Sequence, residues 1–167
     1  MRRRRAHGAS EEALHRDRLI EAPAARIFAV LTDPDQHQYT EPSDWVREAI
    51  SSEPVTRVGQ IFGMAMHHVN AGGDYVMHNR VVLFGQDRAI ASEPGQYGAA
   101  GQPDVGGWIW RYDLAPHGAG TEVRLTYDWS ATPAHVRAEI GGMPPFGADF
   151  LETSLATLDV HVTSRTR

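Results

Sequence analysis

The chain offers nine histidines and twenty-one acidic residues, but no cysteine. Thiol nucleophiles, disulfides and cysteine-bound metals are therefore excluded. All sixteen basic residues are arginine, which also removes a lysine Schiff base and the lysine of a Walker A loop. What remains is proton transfer by histidine or carboxylate, and hydrogen bonding by amides, hydroxyls and phenols. His68 and Asp44 are the candidate general bases and Tyr127 a candidate weak acid. A local turn hydrogen bond accounts for Asp44 equally well. No Ser-His-Asp grouping or nucleophile elbow is visible. Gly95, Gly98 and Gly101 recur at three-residue spacing, but without the strand-to-helix context that gives a phosphate loop its meaning. His67 and His78 could meet across a hairpin, yet two nitrogens lack the third ligand a metal site needs. No metal and no other cofactor is expected.

Positioning these groups falls to an α+β pattern. Arg16–Glu21 reads as a strand, and Pro23 opens a helix over Ala24–Leu31 with Ile27, Phe28, Val30 and Leu31 at helical spacing. Asp33-Pro34 starts a second short helix to about Tyr39. Strands are then expected over Trp45–Ser51, Gln60–Val69, Asp74–Phe84, Arg88–Glu93, Gly107–Leu114 and Thr121–Ser130. The stretch Gly95–Gly107 reads as a mobile loop that gates a site. A short helix follows Pro133 to Ile140, Gly141–Pro145 breaks it, and a final helix spans about Phe146 to Thr163. Its apolar stripe is Phe150, Leu151, Leu155, Leu158 and Val162.

A two-residue turn at Gly72-Gly73 predicts Met66 opposite Asn79, Met64 opposite Val81 and Phe62 opposite Leu83. One face then carries Phe62, Met64, Met66, His68, Tyr75, Met77, Asn79, Val81 and Leu83. In the last hairpin, Trp108, Trp110, Tyr112 and Leu114 share a face with Val123, Leu125, Tyr127 and Trp129, with Tyr112 opposite Val123. Arg111, Asp113, Glu122 and Arg124 take the other face. The sheet is expected to be antiparallel, wet outside and rich in aromatics inside, with the final helix as its cover. Asn79 could bond a ligand carbonyl, or be a buried amide satisfied internally.

At 167 residues the chain is the size of one domain. Residues 1–15, with the basic run Arg2–Arg5, read as a flexible tail, and 16–167 as the domain. The run is followed by Glu11 and Glu12 rather than an apolar stretch, so a secretory signal is not expected. No apolar run approaches the ~20 residues of a membrane span. The net charge of −5 argues against sequence-independent nucleic-acid binding. A cytoplasmic protein from a GC-rich bacterium is the expectation, with a homodimer left open.

The order of strand, two short helices, six strands and a long helix resembles the START-like (SRPBCC) helix-grip superfamily, and within it bacterial polyketide cyclase/dehydrase-like proteins. The resemblance rests on "LIEAPAARIFAVLTDPDQH", "GDYVMHNRVVLFGQDRAIASEPG", "WIWRYDLAPHGAGTEVRLTYDWS" and "LETSLATLDVHV", spanning about Arg18 to Val162. Ser92 stands where many such relatives have tryptophan. The resemblance implies a curved seven-stranded sheet around the final helix, enclosing a cavity for lipids, sterols, polyketides or other apolar molecules. Met66, Met77, Asn79, Trp110, Tyr112, Leu125, Tyr127, Phe150 and Leu155 are the expected ligand-binding residues. The preferred function is binding, including lipid transport, of a small hydrophobic or aromatic molecule. The alternatives are a polyketide aromatase/cyclase or dehydratase, and a chaperone-activator-like interaction module.

Overall fold

A computed structural model describes residues 11–97, 103–147 and 149–164. The elements run β1 (Ala13–Ile20), α1 (Ala24–Leu31), a 3-10 segment (Pro34–Tyr39), β2 (Val46–Ala49), β3 (Ile61–His68), β4 (Gly73–Gly85), β5 (Ala89–Tyr97), β6 (Pro103–Val105), β7 (Ile109–His117), β8 (Gly120–Asp128), α2 (Ala134–Ile140) and α3 (Phe150–Thr163). Seven strands form a curved antiparallel half-barrel in the order β1-β8-β7-β5-β4-β3-β2, and β6 adds to β5. α3 lies in its hollow. This is the expected helix-grip architecture.

The solid part of the interior lies at the β1–β8 end. α3 turns Leu151, Leu155, Leu158 and Val162 inward, each at most 1% exposed, and packs chiefly on β1, with further contacts to β8 and α1. Arg18 Nε on β1 holds Asp159 Oδ2 on α3 at 2.8 Å. The 3-10 segment, capped by Asp33 accepting from the Asp35 amide, lies along α3, where Gln36 bonds His161 at 3.0 Å and Tyr39 stacks on the same ring.

Both predicted hairpin registers are displaced, and both by an even number of residues. The β3–β4 connection is a four-residue loop closed by Gly72 at φ +82°, not a two-residue turn. Met66 therefore pairs with Tyr75, Met64 with Met77 and Phe62 with Asn79. Because side chains alternate with period two, an even slip leaves every face unchanged. It does separate His67 from His78. His67 faces Asp74, with Nδ1 2.7 Å from its carboxylate, while His78 lies opposite Gly63. Similarly, Tyr112 pairs with Leu125 rather than Val123, which sets Asp113 directly opposite Arg124. On that outer face Arg111 bonds Asp113 and Arg124 bonds Asp17, each at 2.8 Å.

One face assignment fails. The β4–β5 ladder runs Val81–Ser92 and then Leu83–Ala91, leaving an extra residue in β4. This bulge reverses the alternation beyond it. Leu83, expected inside, yields the inner position to Phe84, which packs edge-on against Phe28 at 5.4 Å.

Three boundaries also move. β1 begins at Ala13, inside the expected tail, and residues 1–10 lie outside the described residues. α3 begins at Phe150 rather than Phe146, because Pro144, Pro145 and Gly147 delay the helix. The expected gating loop is instead a β arm: Gly95 pairs with Val105, Gln96 with Asp104 and Tyr97 with Pro103. Gly95 makes the pairing possible, since a Cβ there would sit 2.9 Å from the Asp104 carbonyl oxygen. Residues 98–102 of that stretch lie outside the described residues.

Candidate functional site

Between α3 and the strands curving away from it lies an open cavity of about 990 Å3. Its walls follow from the sheet's inner face. β3 contributes Phe62, Met64 and Met66, β4 contributes Tyr75, Met77 and Asn79, and β7 and β8 contribute Trp110, Tyr112, Leu125 and Tyr127. The β5–β6 arm supplies another side, and α2 borders the cavity with Val136, Glu139 and Ile140. α2 buries none of its own residues. It is held by Arg137, which donates to the carbonyls of Thr132 (2.8 Å) and Trp129 (3.1 Å) and pairs with Glu12. Gly141 and Gly142 follow it at φ +90° and +109°, where only glycine is unstrained.

One wall is a continuous aromatic cluster. Trp110 stacks on Phe146 at 5.6 Å and tilts against Tyr127 at 4.5 Å. Phe146 touches Phe150 at 4.9 Å, and Trp45 meets Phe150 at 5.7 Å. Trp45 is fixed twice. Its indole N–H donates to the Tyr75 hydroxyl at 2.7 Å, and its backbone amide donates to Glu41. The buried Glu41 carboxylate also accepts from the Val46 amide and from the amide and hydroxyl of Ser43. Its acceptors are therefore committed to shaping the entry to β2.

Of the expected ligand-binding residues, Met66, Met77, Asn79, Trp110, Tyr112, Leu125, Tyr127 and Phe150 border the cavity. Leu155 does not; it belongs to the packed core beneath α3. Asn79 is buried, and its Nδ2 donates to the Phe62 carbonyl at 3.3 Å.

The catalytic candidates separate. Asp44 faces solvent, and its two oxygens pair with Arg47 at 2.6 and 3.1 Å. That hydrogen bond holds its carboxyl below the usual range. Asp44 is thus removed from the cavity by an ion pair three residues along the chain. His68 does border the cavity, but its Nδ1 accepts from the Asn70 amide at 3.1 Å. Nδ1 is thereby committed as an acceptor, which leaves Nε2 as the nitrogen that carries the ring proton. Tyr127 borders the cavity with a hydroxyl pushed up by burial.

Three further polar groups reach the cavity unannounced by the sequence. His37, in the 3-10 segment, lies with its Nε2 2.7 Å from the Leu31 carbonyl. Burial lowers its pKa and keeps the ring neutral. Thr40 donates its hydroxyl to the His37 carbonyl at 2.7 Å and lies beside Tyr112, whose own hydroxyl burial pushes up to about 12. Ser154 on α3 is 3% exposed, and its hydroxyl has no partner among the described residues. A 3-10 segment carries no long periodicity to flag His37 or Thr40, and Ser154 interrupts an otherwise apolar stripe. Among the described residues no group of three metal-ligating side chains occurs, and no helix is long and apolar enough to cross a membrane.

Comparison with known proteins agrees with this architecture. The family model described as "Activator of Hsp90 ATPase homolog 1-like protein" matches residues 21–159. No curated protein matches. Among solved structures, protein CV1439 from Chromobacterium violaceum is similar at a TM-score of 0.64 and 21% identity, covering 90% of this chain and 96% of its own. Protein Ms6760 from Mycobacterium smegmatis is similar at 0.66 and 16%, covering 95% of each chain. Protein NE0264 from Nitrosomonas europaea is similar at 0.67 and 16%, covering 93% and 96%. At these identities the likeness is one of fold.

Proposed function

Because the chain belongs to the Activator of Hsp90 ATPase homolog 1-like family, within the START-like helix-grip superfamily, we propose that it binds a small, largely apolar, ring-bearing molecule between the sheet and α3. The observation that carries this reading is the hollow itself. A chain of this size could have closed its interior, yet about 990 Å3 stays open behind a wall of aromatic and methionine side chains. That volume is at the upper end of small-molecule sites. Burial of ligand area would drive binding at about 25 cal/mol per Å2, and the methionines would adapt to ligand shape. The interaction-module alternative calls for a filled interior and an exposed apolar patch, so the hollow favours small-molecule binding. For the cyclase alternative the candidate base is His68, whose Nδ1 accepts from the Asn70 amide. In this reading α2, with its glycine-rich exit, is the element that admits the ligand. The protein acts in the cytoplasm of a bacterium on a small molecule and not on nucleic acid, in keeping with its net charge of −5.

Native mass spectrometry of the protein purified gently from its own host tests the reading. The expected spectrum shows the chain plus one small organic adduct that is lost on denaturation. A chain that carries nothing, and whose tryptophan emission is unmoved by a panel of fused-ring aromatics, would overturn it.

A further inference from the structure

Beside Phe62 the cavity has a side niche of about 60 Å3, between α1, the 3-10 segment, β5 and β7. The space suits one polar substituent and not a ring. Its polar lining is His37, Thr40, Ser92 and Tyr112. The hydrogen-bond roles of two of these are set by their neighbours. A carbonyl can only accept, so the short contact from His37 Nε2 to the Leu31 oxygen places the ring proton on Nε2. His37 Nδ1 is then a lone pair, and it has no partner among the described residues. Thr40 has spent its own proton on the His37 carbonyl, so its oxygen has lone pairs to offer. The Tyr112 hydroxyl beside it can donate or accept. Ser92 can turn either way.

The niche is therefore biased toward acceptance. It also contains no carboxylate to balance a cation, and an unpaired charge in a desolvated pocket is strongly disfavoured. The outer end of the cavity has the opposite bias. His68 lies six residues further along β3, about 20 Å away, and with Nδ1 accepting from the Asn70 amide it presents an N–H at Nε2. A second sign that the cavity is built for a polar-bearing guest is the Ser154 hydroxyl, buried on the cavity's helical side without a partner.

We infer that the niche selects a neutral ring system bearing a hydroxyl, a phenol or its equivalent, by accepting the ligand O–H at His37 Nδ1 with Tyr112 alongside. This inference rests on the small-molecule reading above and narrows it. A carbonyl or ether oxygen directed at His37 Nδ1 would meet its lone pair. A methyl group there would strand His37 Nδ1 without a partner, and a site built to bond a polar group rejects the analogue that lacks it.

Isothermal titration calorimetry of the full chain with 2-naphthol, 2-methylnaphthalene and 2-methoxynaphthalene tests this. 2-Naphthol is expected to bind at least tenfold more tightly than either analogue, although it is the least apolar of the three. His37→Phe and Tyr112→Phe should each bring the naphthol-to-methylnaphthalene ratio toward one. Should His37→Phe not fold, the wild-type ratio and Tyr112→Phe decide. If wild-type protein binds all three within threefold, the hydroxyl preference is wrong and the binding reading stands. If it binds none of them, both are overturned. A preference for the methoxy compound would reverse the assigned polarity of the niche.

Discussion

His37 makes folding sensitive to acid in a window where the surface carboxylates are silent. Burial lowers its pKa from an ordinary 6.5, opposed by its bond to the Leu31 carbonyl and by the nearby Asp33 charge. Above 6.5 the ring is neutral whether folded or unfolded, and it contributes no pH dependence. Below 6.5 the unfolded chain takes up the proton and the folded chain resists it. Stability therefore falls as pH drops from 6.5 toward the lowered folded value. Asp17, held down by its hydrogen bond to Arg124, keeps the same sign but acts below 3.8. Thermal melts of wild type and His37→Gln from pH 7.5 to 5 should show the wild-type curve falling further than the variant's once the pH drops below 6.5. Parallel curves would mean that His37 is not protected from solvent. This residue was invisible in the sequence because its role depends on one carbonyl six positions earlier in a short irregular segment. Asn79, Trp110, Tyr112 and Tyr127 were visible because alternation along a strand fixes the face before any partner is known.

At the scale of elements, α3 is joined to the sheet by two unequal attachments. Leu158 is fully buried at the joint with β1 and β8, whereas the adjacent Asp159 reaches Arg18 through an ion pair whose side chains are 20% and 40% exposed. Removing the leucine side chain leaves a cavity in close-packed surroundings and costs about 2–5 kcal/mol. Screening by water limits the pair to about 0–1 kcal/mol. Urea denaturation should thus place Leu158→Ala well below Asp159→Asn in midpoint; equal midpoints would show that the charge pair, not the leucine, anchors the helix. The strands, α1 and α3 were legible for the same reason as their faces, through periods of 2.0 and 3.6. Register was not, because it depends on the length of the β3–β4 loop, where Val69–Ala71 form a turn of 3-10 helix that composition alone does not distinguish from a tighter Gly-Gly turn. The β5–β6 arm was misread as loop because its glycines serve close strand approach at Gly95.

Over the whole molecule, order is unevenly divided. The end holding β1, β8, α1 and α3 is a close-packed core, while β2, the Met66–His68 end of β3, β6 and α2 border the cavity and cover little. Local opening follows the density of buried contacts. Amide hydrogen exchange should therefore be slowest in β8 and the middle of α3 and markedly faster in β2, β3 and the described parts of the β5–β6 arm. A ring-bearing guest such as 2-naphthol should slow the second group more than the first. Uniform protection would contradict a hollow of this size.

The β4 bulge marks where these two territories meet. Before it, Met77 and Asn79 look into open space; after it, Phe84 is wedged against Phe28. A residue inserted at that single point lets one sheet obey two different selective regimes. On one side of the bulge, replacements must preserve volume or the chain fails to fold. On the other, replacements at half-buried Met66, Tyr75 and Met77 chiefly change the outline of the cavity. Descendants of this chain can accordingly exchange one guest for another by drifting at Met66, Tyr75 and Met77, without first having to acquire spare stability.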